Sequence, residues 1–372
     1  MFTIEAKKFG TLFSLLQEDG YTVVGPTVRD QAIVYDELEK VDDLPIGITD
    51  EQLPGSYRIK KREDAAYFGY NVGPHSWKKY LFPPKRKLWE ADRKEGKLTV
   101  LKEPINPQKM AFLGVRSCEI EAIFIQDKVF LEGAYVDPYY QSQRENVLVI
   151  AVNCTQAAST CFCRSMETGP KAKRGYDLSL TEVVNDREHY FVVDVGSDKG
   201  KAILDSLSLP QCREEEVEKA EKGIGQAVDT MDRQLGVDTK EINTLLYRNM
   251  ESSRWDEVAK RCLSCANCTL ACPTCFCSDV EDTTDLTGDH AERWKSWGSC
   301  FNVDHSYLSG GAVRSSTKSR YRQWLTHKVG SWIDQFGTSG CVGCGRCIAW
   351  CPVGIDLREE LAAIREQDEE KK

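Results

Sequence analysis

Arg261–Cys277, RCLSCANCTLACPTCFC, holds the reading that decides the C-terminal fold. Within it Cys262, Cys265, Cys268 and Cys272-Pro273 form C-x2-C-x2-C-x3-C-P, and the same spacing returns at Cys341, Cys344, Cys347 and Cys351-Pro352. This is the run by which bacterial ferredoxins hold [4Fe–4S] clusters: three closely spaced thiolates wrap one cubane, and the fourth cysteine is carried to the other cluster. By that rule one cluster takes Cys262, Cys265, Cys268 and Cys351, and the other takes Cys341, Cys344, Cys347 and Cys272. Gly343 and Gly345 leave room for backbone amides near the sulfides. The competing reading is a pair of zinc sites, but those usually separate two C-x2-C pairs by a longer loop. Four cysteines inside eleven residues, twice over, suit iron–sulfur better.

The two runs begin 79 residues apart, so the insert must loop out while the motifs pack together. That favours a helical dicluster domain over the small β-containing ferredoxin fold. Upstream, apolar β-branched runs occur at 21–24, 32–35, 97–101, 110–115, 147–152 and 190–193, with helical patterns between several of them. EIEAIFIQDKVFL, residues 119–131, is one such helix. A charged stretch, EEEVEKAE at 214–221, lies at the change of pattern. The expected architecture is therefore an α/β (or α+β) domain over residues 1–225, followed by a mainly α-helical dicluster ferredoxin-like domain over 226–372. The latter closes on a helix at 356–365 with Asp356 as N-cap, then a frayed tail.

Composition narrows the function classes. With 41% hydrophobic and 29% charged residues the chain reads as globular, and its net charge of −9 argues against a nucleic-acid partner. No apolar stretch approaches the ~20 residues of a membrane span. The opening MFTIEAKKFG lacks an apolar secretory core, so a cytoplasmic location is expected. There, clustered thiols stay reduced and hold metal more often than they form disulfides.

The N-terminal half has cysteines of its own. Cys118 follows MAFLGVRS and Cys154 follows VLVIAVN; if both runs are parallel strands of one sheet, both cysteines sit at the same edge. Cys161 and Cys163 lie just beyond, in STCFC. These four are read as a third [4Fe–4S] site; the alternative is that some are buried small hydrophobes. Cys275 and Cys277 repeat the Thr-Cys-Phe-Cys pattern and join Cys300 as spare thiols, open to a further cluster, a redox-active pair or simple packing. Cys212 reads as a bystander. Trp294, Trp297, Trp324 and Trp332 are expected to insulate the clusters, and residues 72–84 to form a docking surface, a flavin pocket or a packed loop. The five histidines show no metal-binding spacing, and no dinucleotide, Walker or nucleophile-elbow motif occurs.

Taken together, GPTVRDQAIVYDE, YFGYNVGPHSWKKYLFPP, FLGVRSCEIEAI, TCFCRSMETGP, GYDLSLTE, RCLSCANCTLACPTCFC and SRYRQWLTHK resemble the β (iron–sulfur) subunit of cytoplasmic sulfhydrogenases, the NAD(P)-linked [NiFe] hydrogenases. The iron–sulfur subunit of anaerobic sulfite reductase is a related family. The resemblance implies an electron-transfer subunit, non-catalytic in itself. It would relay electrons between a flavin/NAD(P)-binding partner and the small and large subunits of a [NiFe] hydrogenase, or sulfite reductase subunits in the related case. It also implies that the dicluster ligands map onto the eight cysteines of the two runs, and the N-terminal set onto Cys118, Cys154, Cys161 and Cys163. The first run has Ala266 where glycine is commoner. A competing expectation is a reductase with a substrate-handling cluster near Cys275, Cys277 and Cys300; the plainest is clusters that merely staple a scaffold.

Overall fold

The computed structural model describes residues 1–231 and 234–371. MAFLGV (β8, Met110–Val115) and VLVIAV (β9, Val147–Val152) are buried at every position, as parallel strands covered on both faces must be. They pair in parallel at the centre of a seven-stranded sheet. Around them run β1 (Phe2–Glu5), β2 (Thr22–Arg29), β3 (Ala32–Glu37), β10 (Leu178–Val184) and β11 (His189–Val195), in the order β1-β11-β10-β9-β8-β2-β3. Alternate residues feed two cores. Ala111, Leu113, Leu148 and Ile150 pack with Phe9, Leu12 and Leu16 of the helix Phe9–Glu18. Met110, Phe112, Val147 and Val149 pack with Ile120 and Ile123 of the helix Ser117–Phe130.

A register shift between Leu113 and Val115 re-aims the end of β8. It rests on Gly114, at φ +92°, where a Cβ would lie 3.3 Å from Pro26 and 3.2 Å from Phe68. The strand therefore delivers Arg116, Ser117 and Cys118 to the sheet edge where β9 delivers Cys154. The segment 72–84 is packed and contains a short helix, Lys78–Leu81: Trp77 is buried between Tyr35 and Phe112, at ring-centroid distances of 4.1 and 4.6 Å.

The insert between the cysteine runs departs from the helical expectation. Ser278–Thr284 (β12) and His290–Trp297 (β13) form a hairpin. With β4 (Ile48–Leu53) and β5 (Ser56–Lys61) pairing separately, the hairpin joins β6 (Lys85–Lys94) and β7 (Lys97–Lys102) in an antiparallel sheet of order β12-β13-β6-β7. These strands are half-exposed and polar, so no apolar alternation announces them; cross-strand ion pairs such as Arg293–Asp282 stand in its place. Trp294 and Trp297 lie on this ribbon, whereas Trp324 and Trp332 are buried among the C-terminal helices and cysteines.

Helices Arg254–Arg261, Thr317–Thr326 and Leu357–Glu369 close on a core of Trp255, Val258, Leu325, Leu361 and Ile364. Asp356 caps the last helix by accepting from Arg358 N. That helix continues through the expected frayed tail as far as Glu369, because Asp368 is buried against Arg248 and Asn249. Among the described residues no helix is long and apolar enough to cross a membrane.

Candidate functional site

The helix Arg254–Arg261 ends at Cys262 with Trp255 and Val258 buried, which fixes where the first cysteine loop starts. In that loop Ser264 N–H lies 3.4 Å from Cys262 Sγ, and Gly343 N–H lies 3.4 Å from Cys341 Sγ in the second. The loops are backbone copies of each other. Ser264 (φ +52°) matches Gly343 (+65°), and Ala266 (+68°) matches Gly345 (+77°). Left-handed residues here turn successive amides inward, forming a concave nest for anionic sulfur. A short helix then follows in each, Asn267–Leu270 and Arg346–Ala349.

The thiols gather in three neighbouring sets. Cys262, Cys265, Cys268 and Cys351 line one cavity together with Cys347, with Phe301, Tyr321, Trp324 and Ile355 as its apolar wall. Cys272 lies in electrostatic range of Cys341, Cys344 and Cys347. Cys118, Cys154, Cys161 and Cys163 influence one another in the same way, and Cys344 acts on three of them. Cys351 thus lies with the thiols of the first loop, and Cys272 near those of the second.

The second loop sits directly on the N-terminal cysteines. Gly343 O accepts from Phe162 N at 2.9 Å, and Val342 O accepts from Thr168 Oγ1 at 2.6 Å. A Cβ on Gly345 would stand 2.5 Å from Thr160 O, and one on Gly343 would stand 2.6 Å from Cys163 N. Arg346 anchors the same contact. It is fully buried, pairs with Glu119 beside Cys118, and donates to the carbonyls of Gly73 and His75.

This environment suits iron–sulfur clusters. Burial pushes the thiols of Cys161 and Cys341 up to about 12, and those of Cys118, Cys268 and Cys347 well above their ordinary value, with neighbouring thiolates adding to the rise. Such crowded, desolvated thiols keep a negative charge only beside a compensating cation, and soft sulfur selects iron or zinc. Tyr321 Oη and Trp324 Nε1, buried in residues that wall the first cavity, have no hydrogen-bond partner among the described residues. They are donors available to cluster sulfur.

Most of the basic residues around the thiols carried little sequence signal, because tertiary packing brings them in. Lys328, buried on the turn that extends Thr317–Thr326, reaches Cys272 Sγ at 3.6 Å and Thr274 Oγ1 at 2.9 Å. Lys78 donates to Cys275 O at 3.1 Å, and burial lowers its ammonium to about 8. Arg116 is buried beside Cys154 and donates to the carbonyls of Phe68 and Tyr70. The proximity of Arg116 to Cys118 and of Arg346 to Cys344 and Cys347 in sequence is the one hint that was available. Cys275 lies against Cys272, and Cys277 against Cys300. Cys212 is remote, beside Thr3.

Comparison with known proteins agrees with this geometry. A family model for the 4Fe-4S dicluster domain matches residues 261–355. Sulfhydrogenase 2 subunit beta of Pyrococcus furiosus is 28% identical over 373 residues, 98% of this chain and 98% of its own. The chain resembles a sulfhydrogenase β subunit from end to end. The likeness extends well outside the dicluster domain, over the N-terminal half as well. No solved structure matches the chain.

Proposed function

We infer that the chain is the electron-transfer iron–sulfur subunit of a cytoplasmic hydrogenase-type complex. In this reading it relays electrons between a flavin/NAD(P)-binding partner and a [NiFe] catalytic subunit. One [4Fe–4S] cluster is held by Cys262, Cys265, Cys268 and Cys351, a second by Cys341, Cys344, Cys347 and Cys272, and a third by Cys118, Cys154, Cys161 and Cys163. Residues 1–225 carry the third site and residues 226–372 the dicluster.

The observation that carries this reading is the serial contact of the thiol sets. Cys347 of the second set reaches the cavity of the first, and Cys344 of the second reaches the third. A [4Fe–4S] cluster supplies one-electron transfer when bound, with a potential set by charge, hydrogen bonds to sulfur and exposure. The protein's part is to hold the thiolates, point the amides of Ser264 and Gly343 at sulfur, and exclude water. Aromatic side chains, Phe301, Tyr321 and Trp324 at one end and Trp332 near the other, do the last of these.

The test is iron and sulfide quantitation on anaerobically purified protein, with EPR during stepwise reduction. About twelve irons with interacting spins support three clusters, and about eight return the N-terminal cysteines to packing. Isolated protein is expected to reduce dyes from NAD(P)H poorly or not at all until a flavin-binding partner is added. Robust turnover by the chain alone would sink the relay.

A further inference from the structure

Cys277 and Cys300 belong to none of the three ligand sets, yet the fold brings them face to face. Cys277 directly precedes β12, and its carbonyl accepts from Gly298 N at 2.8 Å, just past the Ser278–Trp297 pair. The open end of the hairpin therefore sets Cys277 opposite Gly298, and the chain then turns back to bring Cys300 over it. Gly298 leaves room for the Asp279 carboxylate, from which a Cβ there would lie 2.6 Å. Ser299 pins the turn: it is buried, its Oγ pairs with Thr269 Oγ1 at 2.8 Å, and it accepts from Phe301 N at 3.1 Å.

The Cys300 thiol and the His305 imidazole are close neighbours of the Cys277 thiol, and each acts on it electrostatically. His305 is itself 3.9 Å from the Asp279 carboxylate. Both thiols are partly exposed, so protons can leave to solvent. A single metal ion needs at least three ligand atoms close together. Among the described residues that condition is met elsewhere, by Glu90, His290 and Glu292, and not here. The pair also lies between two ligand sets. Cys300 is in electrostatic range of Cys268, and Cys275, two residues from Cys277, touches Cys272.

We propose that Cys277 and Cys300 form a redox-active dithiol–disulfide pair that exchanges electrons with the adjacent iron–sulfur centres. The inference rests on the cluster assignment above. On oxidation an S–S bond forms between the two Sγ atoms. The two electrons released pass singly to two oxidised neighbouring centres; one proton leaves from Cys300 and one from the His305 imidazolium. Reduction runs the same steps backwards and breaks the S–S bond. The nearby Cys300 thiol and His305 imidazole lower the Cys277 thiol in spite of burial, which favours a thiolate, the attacking species in thiol–disulfide chemistry. A two-electron couple beside one-electron carriers can hold the second electron of a hydride until the wire clears the first.

The experiment uses the full iron-loaded chain. It is poised anaerobically with an oxidised redox dye or with titanium(III) citrate, quenched in acid, alkylated under denaturing conditions and mapped by peptide mass spectrometry. The expected result is a linked Cys277–Cys300 peptide in the oxidised sample and two alkylated cysteines in the reduced one, reversibly. Wild-type protein should also take up two more reducing equivalents per chain than Cys300→Ser or Cys277→Ala. Both variants should keep the wild-type iron content and cluster EPR. Full iron with both thiols alkylated in the oxidised sample overturns the pair and leaves the cluster assignment standing. A linked peptide with no difference in reducing equivalents overturns the electron exchange. Iron well below about eight per chain fails the cluster assignment itself, whatever the thiols do.

Discussion

Ala266 and Gly345 stand at the same turn of two matching cysteine loops, and the difference between them sets a sharp test. Each has a left-handed backbone, which costs an L-residue about 1–2 kcal/mol relative to glycine. Ala266 bears that strain with its methyl group packed in the C-terminal core. Gly345 has no such freedom, since a Cβ would meet Thr160 O at 2.5 Å. Ala266→Gly should therefore retain all its iron, with a stability change below about 1 kcal/mol, the relief being offset by glycine's larger chain entropy. Gly345→Ala should lose iron from the second set and from the N-terminal set, which share this contact; equal iron in both variants would contradict the packing. The buried Arg346–Glu119 pair offers a second test. Arg346→Met leaves Glu119 buried with Tyr35 and Trp77 as its side-chain donors among the described residues, and should cost about 3–5 kcal/mol. The double variant with Glu119→Gln should recover much of that in the urea midpoint. A double variant no better than the single would show that the cost lies in lost packing rather than in an unpaired charge.

At the scale of elements, the four-stranded ribbon couples the insert to the N-terminal half through Trp297. Its indole donates to Phe82 O at 2.9 Å, its backbone donates to Pro84 O at 2.8 Å, and Lys78 stacks on it at 3.8 Å while holding Cys275 O. Trp297→Ala should cost about 3 kcal/mol, the low end for aromatic truncation because the ring is only half-buried. Hydrogen exchange in β12 and β13 should accelerate while β8 and β9 stay protected; unchanged protection in the hairpin would mean that the ribbon holds without this anchor. The same ribbon shows where sequence reading loses its grip. β8 and β9 were legible because every position is apolar, and their shared edge foretold the meeting of Cys118 with Cys154. The two cysteine runs were legible because ligand spacing is local to the chain. β6, β12 and β13 were not, since their pairing is carried by ion pairs such as Lys87–Glu292 and Arg293–Asp282 rather than by alternating hydrophobicity. Lys328 and His305 were invisible for a related reason: nothing near them in sequence marks the thiols they approach in space.

Across the whole molecule, cysteine chemistry and folding are bound together unevenly. The core under the helix Phe9–Glu18 contains no cysteine and is filled by Phe9, Leu16, Leu148, Ile150, Leu178 and Phe191. The core of the C-terminal helices is different: Cys262, Cys268, Cys300, Cys341, Cys347 and Cys351 pack directly against it. Without a metal these thiols have either to stay protonated around a void or to face one another as desolvated charges, so metal binding there contributes folding free energy. Iron removal by a chelator under mild oxidation should thus unfold the molecule in part. Amide protection should fall across the helices Arg254–Arg261, Thr317–Thr326 and Leu357–Glu369, and fluorescence of Trp255, Trp324 and Trp332 should shift red as water enters. The strands β8, β9, β10 and β11 should keep their protection, because their first core neither contains nor contacts the ligands. Restoring iron and sulfide should return the helical protection. If sheet and helices instead lose protection together, the contacts of Phe162 with Gly343 and of Glu119 with Arg346 are strong enough to make the chain one cooperative unit. The N-terminal core would then depend on iron it does not touch.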